Sequence, residues 1–227
     1  MPFPVGFSHA TMAPMTTETK AIIIVTIACV ALLFGGAWLY QKNAPKDALT
    51  ENQEALVREN SMRVSATSSK LTVVEFGDYQ CPACAYIEPA IDELRETYKD
   101  RITFVFRDFP LSMHKNAMKA AQMTYIANEQ GKYWEMHRAL YASQKEWENV
   151  ADPTDLFVGY AATLGLKTDG MKEKLASDIY KDRINADTKD GELLGINSTP
   201  TFFIGNSIVR VADYNAIKKA IDAELAK

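Results

Sequence analysis

The sequence predicts an α/β fold: a central sheet with helices on both faces and a helical subdomain laid over one edge, preceded by one membrane-spanning helix. Three observations predict it. Residues 71–106 read as strand, helix, strand, and residues 111–194 carry helical periodicity without strand signals. From Thr201 onward, two short β-rich runs precede a last amphipathic stretch, so the order is βαβ, helices, ββα.

The 227-residue chain, 47% hydrophobic, is long enough to bury one sizeable core once its apolar N-terminal run is set aside. That run, Ala21 to Tyr40, contains no charged residue and matches the span of a bilayer, with Trp38 and Tyr40 placed as interfacial aromatics. A cleaved signal peptide is the competing reading, since Gly35 and Ala37 are small enough for a peptidase site; the length of the run favours a retained anchor. Residues 1–20, with Met1, Met12 and Met15 as possible starts, form a patternless N-terminal tail. Lys20 precedes the span while Lys42 and Lys46 follow it, so basic residues alone do not orient it.

Residues 41–70 are expected as a polar linker or stalk, with two open readings inside: helical spacing over 47–57, or a short edge strand at 55–58. The domain proper is expected over 71–227. It opens with Leu71-Thr-Val-Val-Glu-Phe76, a buried strand ending at Gly77. Ile87, Ile91, Leu94 and Tyr98 then fall on one helical face, with Pro82 suited to the first turn and Pro89 expected to bend the helix. A second strand covers Ile102 to Phe106. In the insertion, about 111–194, Met118, Ala121 and Tyr125 mark one helix and Trp134, His137, Leu140 and Tyr141 the next. Thr201 to Ile204 and Ile208 to Val211 read as a hairpin turning at Gly205-Asn206-Ser207, and Asp213 is suited to cap a final helix. The aromatics Trp134, Tyr141, Trp147, Phe157 and Tyr160 read as core residues before they read as a groove.

Chemistry concentrates at the cysteines. Cys29 lies in the apolar run, which leaves Cys81 and Cys84 as a pair. A disulfide closing so short a loop removes little entropy from the unfolded chain, so a redox or metal role is more reasonable than a structural staple. At a strand-to-helix junction, the Cys81 sulfur meets free backbone N–H groups and the positive end of the helix dipole, which favour its thiolate. A stabilised thiolate is a good leaving group. Cys84, one turn deeper, is then the resolving thiol. Structural zinc needs two further ligands, and His9, His114 and His137 show no ligand spacing; Cu(I) accepts two thiolates, but nothing points to a third ligand. No metal is expected, and no cofactor beyond the Cys81–Cys84 redox pair itself.

The segment Glu75-Phe-Gly-Asp-Tyr-Gln-Cys-Pro-Ala-Cys84 strongly resembles the active-site strand and helix of DsbA-type disulfide oxidoreductases. Arg107-Asp-Phe-Pro-Leu111 with His114, the helical insertion, and Ile196-Asn-Ser-Thr-Pro-Thr201 resemble the same family, whose fold is a thioredoxin fold with an inserted helical domain; the closest likeness is to membrane-anchored bacterial members. The resemblance implies that Cys81 is the nucleophile within the motif Pro82-Ala83, and that Thr199-Pro200 is a cis-proline loop offering backbone groups to substrate. It also implies that Glu75 is a buried acid relaying the proton of Cys84, against the plainer reading of a solvent-facing edge acid. Pro89 matches the family's helix kink. His114 reads as a polar cap of the insertion's first helix. One departure stands out: Ala83 occupies a position where a familiar member of that family has histidine, which implies a milder oxidant.

These readings converge on a membrane-tethered protein that oxidises cysteine pairs of exported proteins. Its expected site is single-pass in the cytoplasmic membrane through residues 21–40, catalytic domain extracytoplasmic, because a thiol oxidant persists only outside the reducing cytosol. A membrane redox partner, a quinone-linked oxidase or an electron donor, is expected to recycle the pair. A disulfide reductase or isomerase of the same fold is the alternative, and a Cu(I)- or peptide-binding module without turnover is a third. The net charge of −4 and the absence of any basic run exclude nucleic acid as a partner.

Overall fold

The computed structural model describes residues 53–227. The expected tail (1–20), the apolar segment 21–40 with Cys29, and the first part of the linker lie outside the described residues. Among the described residues, no helix is long and apolar enough to cross a membrane.

The centre of the sheet is β2, Leu71–Gly77, paired in parallel with β3, Ile102–Asp108, and antiparallel with β4, Thr201–Ile204. Beyond β4 lies β5, Ser207–Val209, and beyond β3 lies β1, Met62–Ser65, giving the order β1-β3-β2-β4-β5. The connection between the parallel pair is supplied by α2, Pro82–Thr97. Strand parity divides the core. Val73, Phe104, Phe106, Phe202 and Ile204 face Ile87, Ile91 and Leu94 of α2 and Ile217 and Ile221 of α9, Tyr214–Leu225. Val74, Phe76, Val105 and Phe203 face the other way, onto Phe109, Leu194 and Ile196.

β1 corrects the expected linker. The polar stretch to Lys70 contains α1, Gln53–Leu56, as well as β1, whose Met62 and Ser65 stand opposite Phe106 and Thr103 of β3. The folded domain therefore starts before Leu71. An edge strand covered on one side needs little apolar content, so its composition reads like a tether. The helix over Gln53–Leu56 also takes the place of the alternative strand at 55–58. The hairpin is shorter than expected, ending at Val209, with Gly205 at φ 56° meeting the left-handed turn requirement. Pro89 lies inside α2, which runs through it. Asp213 caps α9 as expected, its carboxylate accepting from the Ala216 N–H at 2.8 Å.

The insertion comprises α3 (Ala117–Asn128), α4 (Tyr133–Ala142), α5 (Gln144–Trp147), α6 (Thr154–Thr163), α7 (Met171–Ala176) and α8 (Lys181–Leu193). Tyr141, Trp147 and Phe157 are buried core. Two buried charge clusters join the insertion to the sheet and to the first crossover helix. Arg107 of β3 pairs with Asp187 at 2.9 Å and Asp190 at 2.5 Å on α8, and Arg58 also reaches Asp190. On the opposite side of the sheet, Glu88 of α2 meets Arg95 at 2.8 Å, while His137 Nε2 of α4 lies 3.0 Å from the same carboxylate oxygen.

Candidate active site

Cys81 is the N-cap of α2, with φ −72° and ψ 121°, and Pro82 occupies the first turn, where a missing N–H costs no helical bond. The turn before it is self-closed: the Cys81 N–H donates to the Asp78 carbonyl at 3.0 Å, and an Asp78 carboxylate oxygen accepts from the Gln80 N–H at 2.7 Å. Cys81 is 6% exposed and Cys84 1%.

The two thiols occupy opposed environments. A hydrogen bond from the Cys84 thiol draws the Cys81 pKa down to about 5; burial works against this, while the Thr199 hydroxyl and the N–H groups of Cys84 and Ala83 reinforce it. Burial pushes the Cys84 thiol well above the ordinary range, and the interactions with Cys81 and the nearby Glu75 carboxylate push it further the same way. The helix start therefore holds an acidic, marginally accessible sulfur next to a buried, proton-retaining one.

Thr199 and Pro200 arrive from the far end of the chain. Their peptide bond is cis, and the Cys81 thiol donates to the Thr199 carbonyl at 3.4 Å. Glu75 sits on the same strand face as Val73, so the parity of β2 aims it under α2 rather than into solvent. It is buried, and neither carboxylate oxygen has a hydrogen-bond partner. Burial first, and the Glu88 carboxylate second, raise its pKa well above the carboxylate range. Glu88 behaves oppositely: burial would raise it, but His137 and Arg95 outweigh that and hold it below.

The structure thus brings Glu75, Cys81, Pro82, Ala83, Cys84, Thr199 and Pro200 to one helix start. Sequence reasoning missed the supports around them. Asp78 is buried, and its second carboxylate oxygen accepts from the Leu111 N–H at 2.8 Å and lies 2.7 Å from His114 Nδ1, so His114 holds the active-site turn instead of capping a helix. The Gln80 side chain accepts from the Asn116 N–H at 2.7 Å and donates to the Glu148 carbonyl at 2.8 Å. Gln144 donates to the carbonyls of Tyr79 and Cys81. Asp78, three residues before Cys81, was open to discovery as a turn-forming acid; Gln144 carries no local signal. Among the described residues, no three His, Cys, Asp or Glu side chains converge on a metal-sized site.

A family model described as thioredoxin matches residues 58–223. The Na(+)/H(+) antiporter NhaA 1 of Salinispora arenicola is 41% identical over 135 residues, covering 59% of this chain but 20% of the antiporter, so the chain spans about a fifth of that relative's length. Disulfide bond formation protein D of Bacillus subtilis is 26% identical over 164 residues, covering 68% of this chain and 72% of that protein. The crystal structure of the thiol-disulfide exchange protein alpha-DsbA2 from Wolbachia pipientis superposes with a TM-score of 0.67 at 22% identity, covering 78% of this chain and 93% of that one, a shared fold.

Proposed function

The chain belongs to the thioredoxin family, and from that premise we propose that it is a thiol-disulfide oxidoreductase, exchanging disulfides with substrate proteins through Cys81 and Cys84. The observation that carries this reading is the geometry of the cysteine pair: Cys81 caps the start of α2 with its sulfur 3.4 Å from the carbonyl of the cis Thr199–Pro200 loop, and Cys84, one turn deeper, is 1% exposed. The 26% identity to a protein named for disulfide bond formation supports it.

In the oxidising direction, a substrate thiolate attacks the Cys81 sulfur, the Cys81–Cys84 bond breaks, and Cys84 leaves as a thiolate. A buried anion there is costly, and Glu75, kept protonated by its own burial, is the acid that neutralises it. A second substrate thiolate then attacks the substrate's sulfur in the mixed disulfide, and Cys81 departs as a stabilised thiolate. Two electrons pass to the protein and one disulfide to the substrate. A low thiol pKa at Cys81 favours this departure, and hence net oxidation. Thr199 and Pro200, beside the sulfur, provide backbone groups for an extended substrate segment.

We read the substrates as exported proteins with cysteine pairs. In this reading residues 21–40 tether the domain to the cytoplasmic membrane with its active site on the extracytoplasmic side, and a quinone-linked oxidase or electron donor in the membrane recycles the pair. The ion exchange named for the antiporter relatives is not carried over. A redox titration of the full chain against glutathione tests the direction: a potential near about −120 mV is expected for an oxidase, and one near about −270 mV would instead make it a reductase. A Cys84→Ala variant is expected to accumulate mixed disulfides with client proteins. No trapped client, together with a Cys81 thiol that titrates like free cysteine, would overturn the proposal.

A further inference from the structure

Helix α5 is four residues long and ends on Trp147, a fully buried side chain whose indole N–H donates to the Leu140 carbonyl at 2.9 Å. Asn116 braces the same segment, donating to the carbonyls of Trp147 at 3.2 Å and Val150 at 2.9 Å. This packing holds Gln144, at the start of α5 and 2% exposed, against the active-site turn. Its side-chain amide donates to the Tyr79 carbonyl at 2.8 Å and to the Cys81 carbonyl at 3.0 Å. The Cys81 carbonyl also accepts the first helical bond, from the Ala85 N–H at 3.1 Å.

We propose that Gln144 is a positioning residue for Cys81: by fixing the carbonyls on both sides of Gln80, it sets the backbone orientation on which the reactivity of the Cys81 sulfur depends. The inference rests on the oxidoreductase reading and deepens it.

A thiolate at an N-cap is stabilised by the N–H ends of the following peptides, here Ala83 and Cys84, because Pro82 contributes none. A carbonyl oxygen rotated toward the sulfur opposes that stabilisation. The Tyr79 carbonyl lies in the turn ahead of α2 and has no helical donor; the amide that holds it also bonds the Cys81 carbonyl, which accepts from the Ala85 N–H as well. Thr199 fixes the sulfur from the opposite side of the turn. Gln144 touches neither the sulfur nor any group that changes protonation, so its effect passes through backbone geometry. Losing it also leaves the buried Tyr79 carbonyl short of a donor, which favours a rearranged turn.

The test uses the full chain in its reduced form, following the rate of Cys81 alkylation by iodoacetamide against pH. Gln144→Met removes the donor at similar volume, Gln144→Asn retracts it by one methylene, and Leu175→Ala opens a cavity in the buried core at α7, which makes no hydrogen bond to the active-site turn. The profile of Gln144→Met is expected to move up by about one pH unit, with Gln144→Asn between it and wild type. Leu175→Ala is expected to lower the thermal midpoint and leave the profile where it was. An unmoved profile in folded Gln144→Met, an equal movement in Leu175→Ala, or loss of folding in both Gln144 variants would each overturn the proposal by reducing Gln144 to a structural contact. A wild-type profile like that of free cysteine would sink the oxidoreductase reading instead, so the two failures are distinct.

Discussion

The Cys81 sulfur lies 3.4 Å from the carbonyl oxygen of Thr199, 118 positions away in the chain. That contact joins the start of α2 to the loop before β4 and defines where a substrate sulfur would approach. The acidity of Cys81 comes from other groups: the Cys84 thiol first, then the Thr199 hydroxyl and the N–H groups of Cys84 and Ala83. Unfolding removes these hydrogen bonds and returns the thiol to its ordinary value.

Cys81 reactivity in the reduced protein is expected to be half-maximal near pH 5, with Cys84 silent in the folded state. The folded pKa is depressed below the ordinary thiol value of 9.0, so the stabilisation it gives the reduced fold is complete above that value and lost as pH falls through about 5. Urea unfolding of reduced wild type minus reduced Cys81→Ser, followed across that window, reads the difference directly. A flat difference would contradict the depressed pKa.

Glu75→Gln keeps the shape of the side chain and removes the acid proposed to serve Cys84. Thiol-disulfide exchange with a model cysteine peptide is expected to slow by roughly a hundredfold, near the lower limit for loss of a general acid or base. The raised pKa of Glu75 makes its ionised form a burden on the fold as pH rises, so the same variant should gain thermal stability over wild type at alkaline pH. Unchanged exchange kinetics would remove Glu75 from the reaction.

Asp108, at the end of β3, accepts from the Tyr125 hydroxyl at 2.6 Å while its other oxygen is unpartnered. Burial, then the neighbouring Asp187 carboxylate, lift its pKa to about 7, with Tyr125, Arg183 and Arg107 pulling the other way. A raised carboxyl pKa means that the folded state holds the proton more tightly, so this contribution to stability fades as pH climbs from the carboxylate range through about 7. Asp108→Asn, which keeps an acceptor for Tyr125, is expected to be more stable than wild type at pH 8 and little different near pH 4. Calorimetry at the two pH values checks it.

Removing the guanidinium of Arg107 strands the buried carboxylate of Asp187 on α8 and leaves Asp190 with Arg58. Arg107→Leu is expected to cost about 3–5 kcal/mol in urea unfolding, as breaking one side of a buried ion cluster does elsewhere. A loss under about 1 kcal/mol would mean that Arg58 alone satisfies that cluster.

A Cβ at Gly77 would fall 2.5 Å from a ring carbon of Phe106 and 3.1 Å from the Tyr141 hydroxyl. Both rings are buried against β2, so Gly77→Ala is expected to destabilise by about 1–3 kcal/mol. Because Gly77 precedes Asp78 and the active-site turn, the Cys81 alkylation profile should shift in the same variant. An unshifted profile would show that the strain relaxes on the insertion side.

Much of the domain was legible because its signals are local. The alternation of β2, the spacing of Ile87, Ile91 and Leu94, and a cysteine pair at a strand-to-helix junction each depend on residues within one or two turns of one another. The edge strand Met62–Ser65 was not legible, since a strand with exposed side chains resembles a polar linker. His114 reads locally as a helix cap because the acid it meets, Asp78, lies 36 residues away on another element.

By itself the sequence determined the order of elements from Leu71 onward, the cysteine pair, and its place at the start of α2, because periodicity and helix ends are short-range properties of the chain. Tertiary structure alone decided that Glu75 lies without a partner beneath Cys84, that Thr199 meets Cys81, and that Gln144 holds the turn. Those relationships link residues far apart in the chain, and close packing of sheet against insertion is the force that selects them.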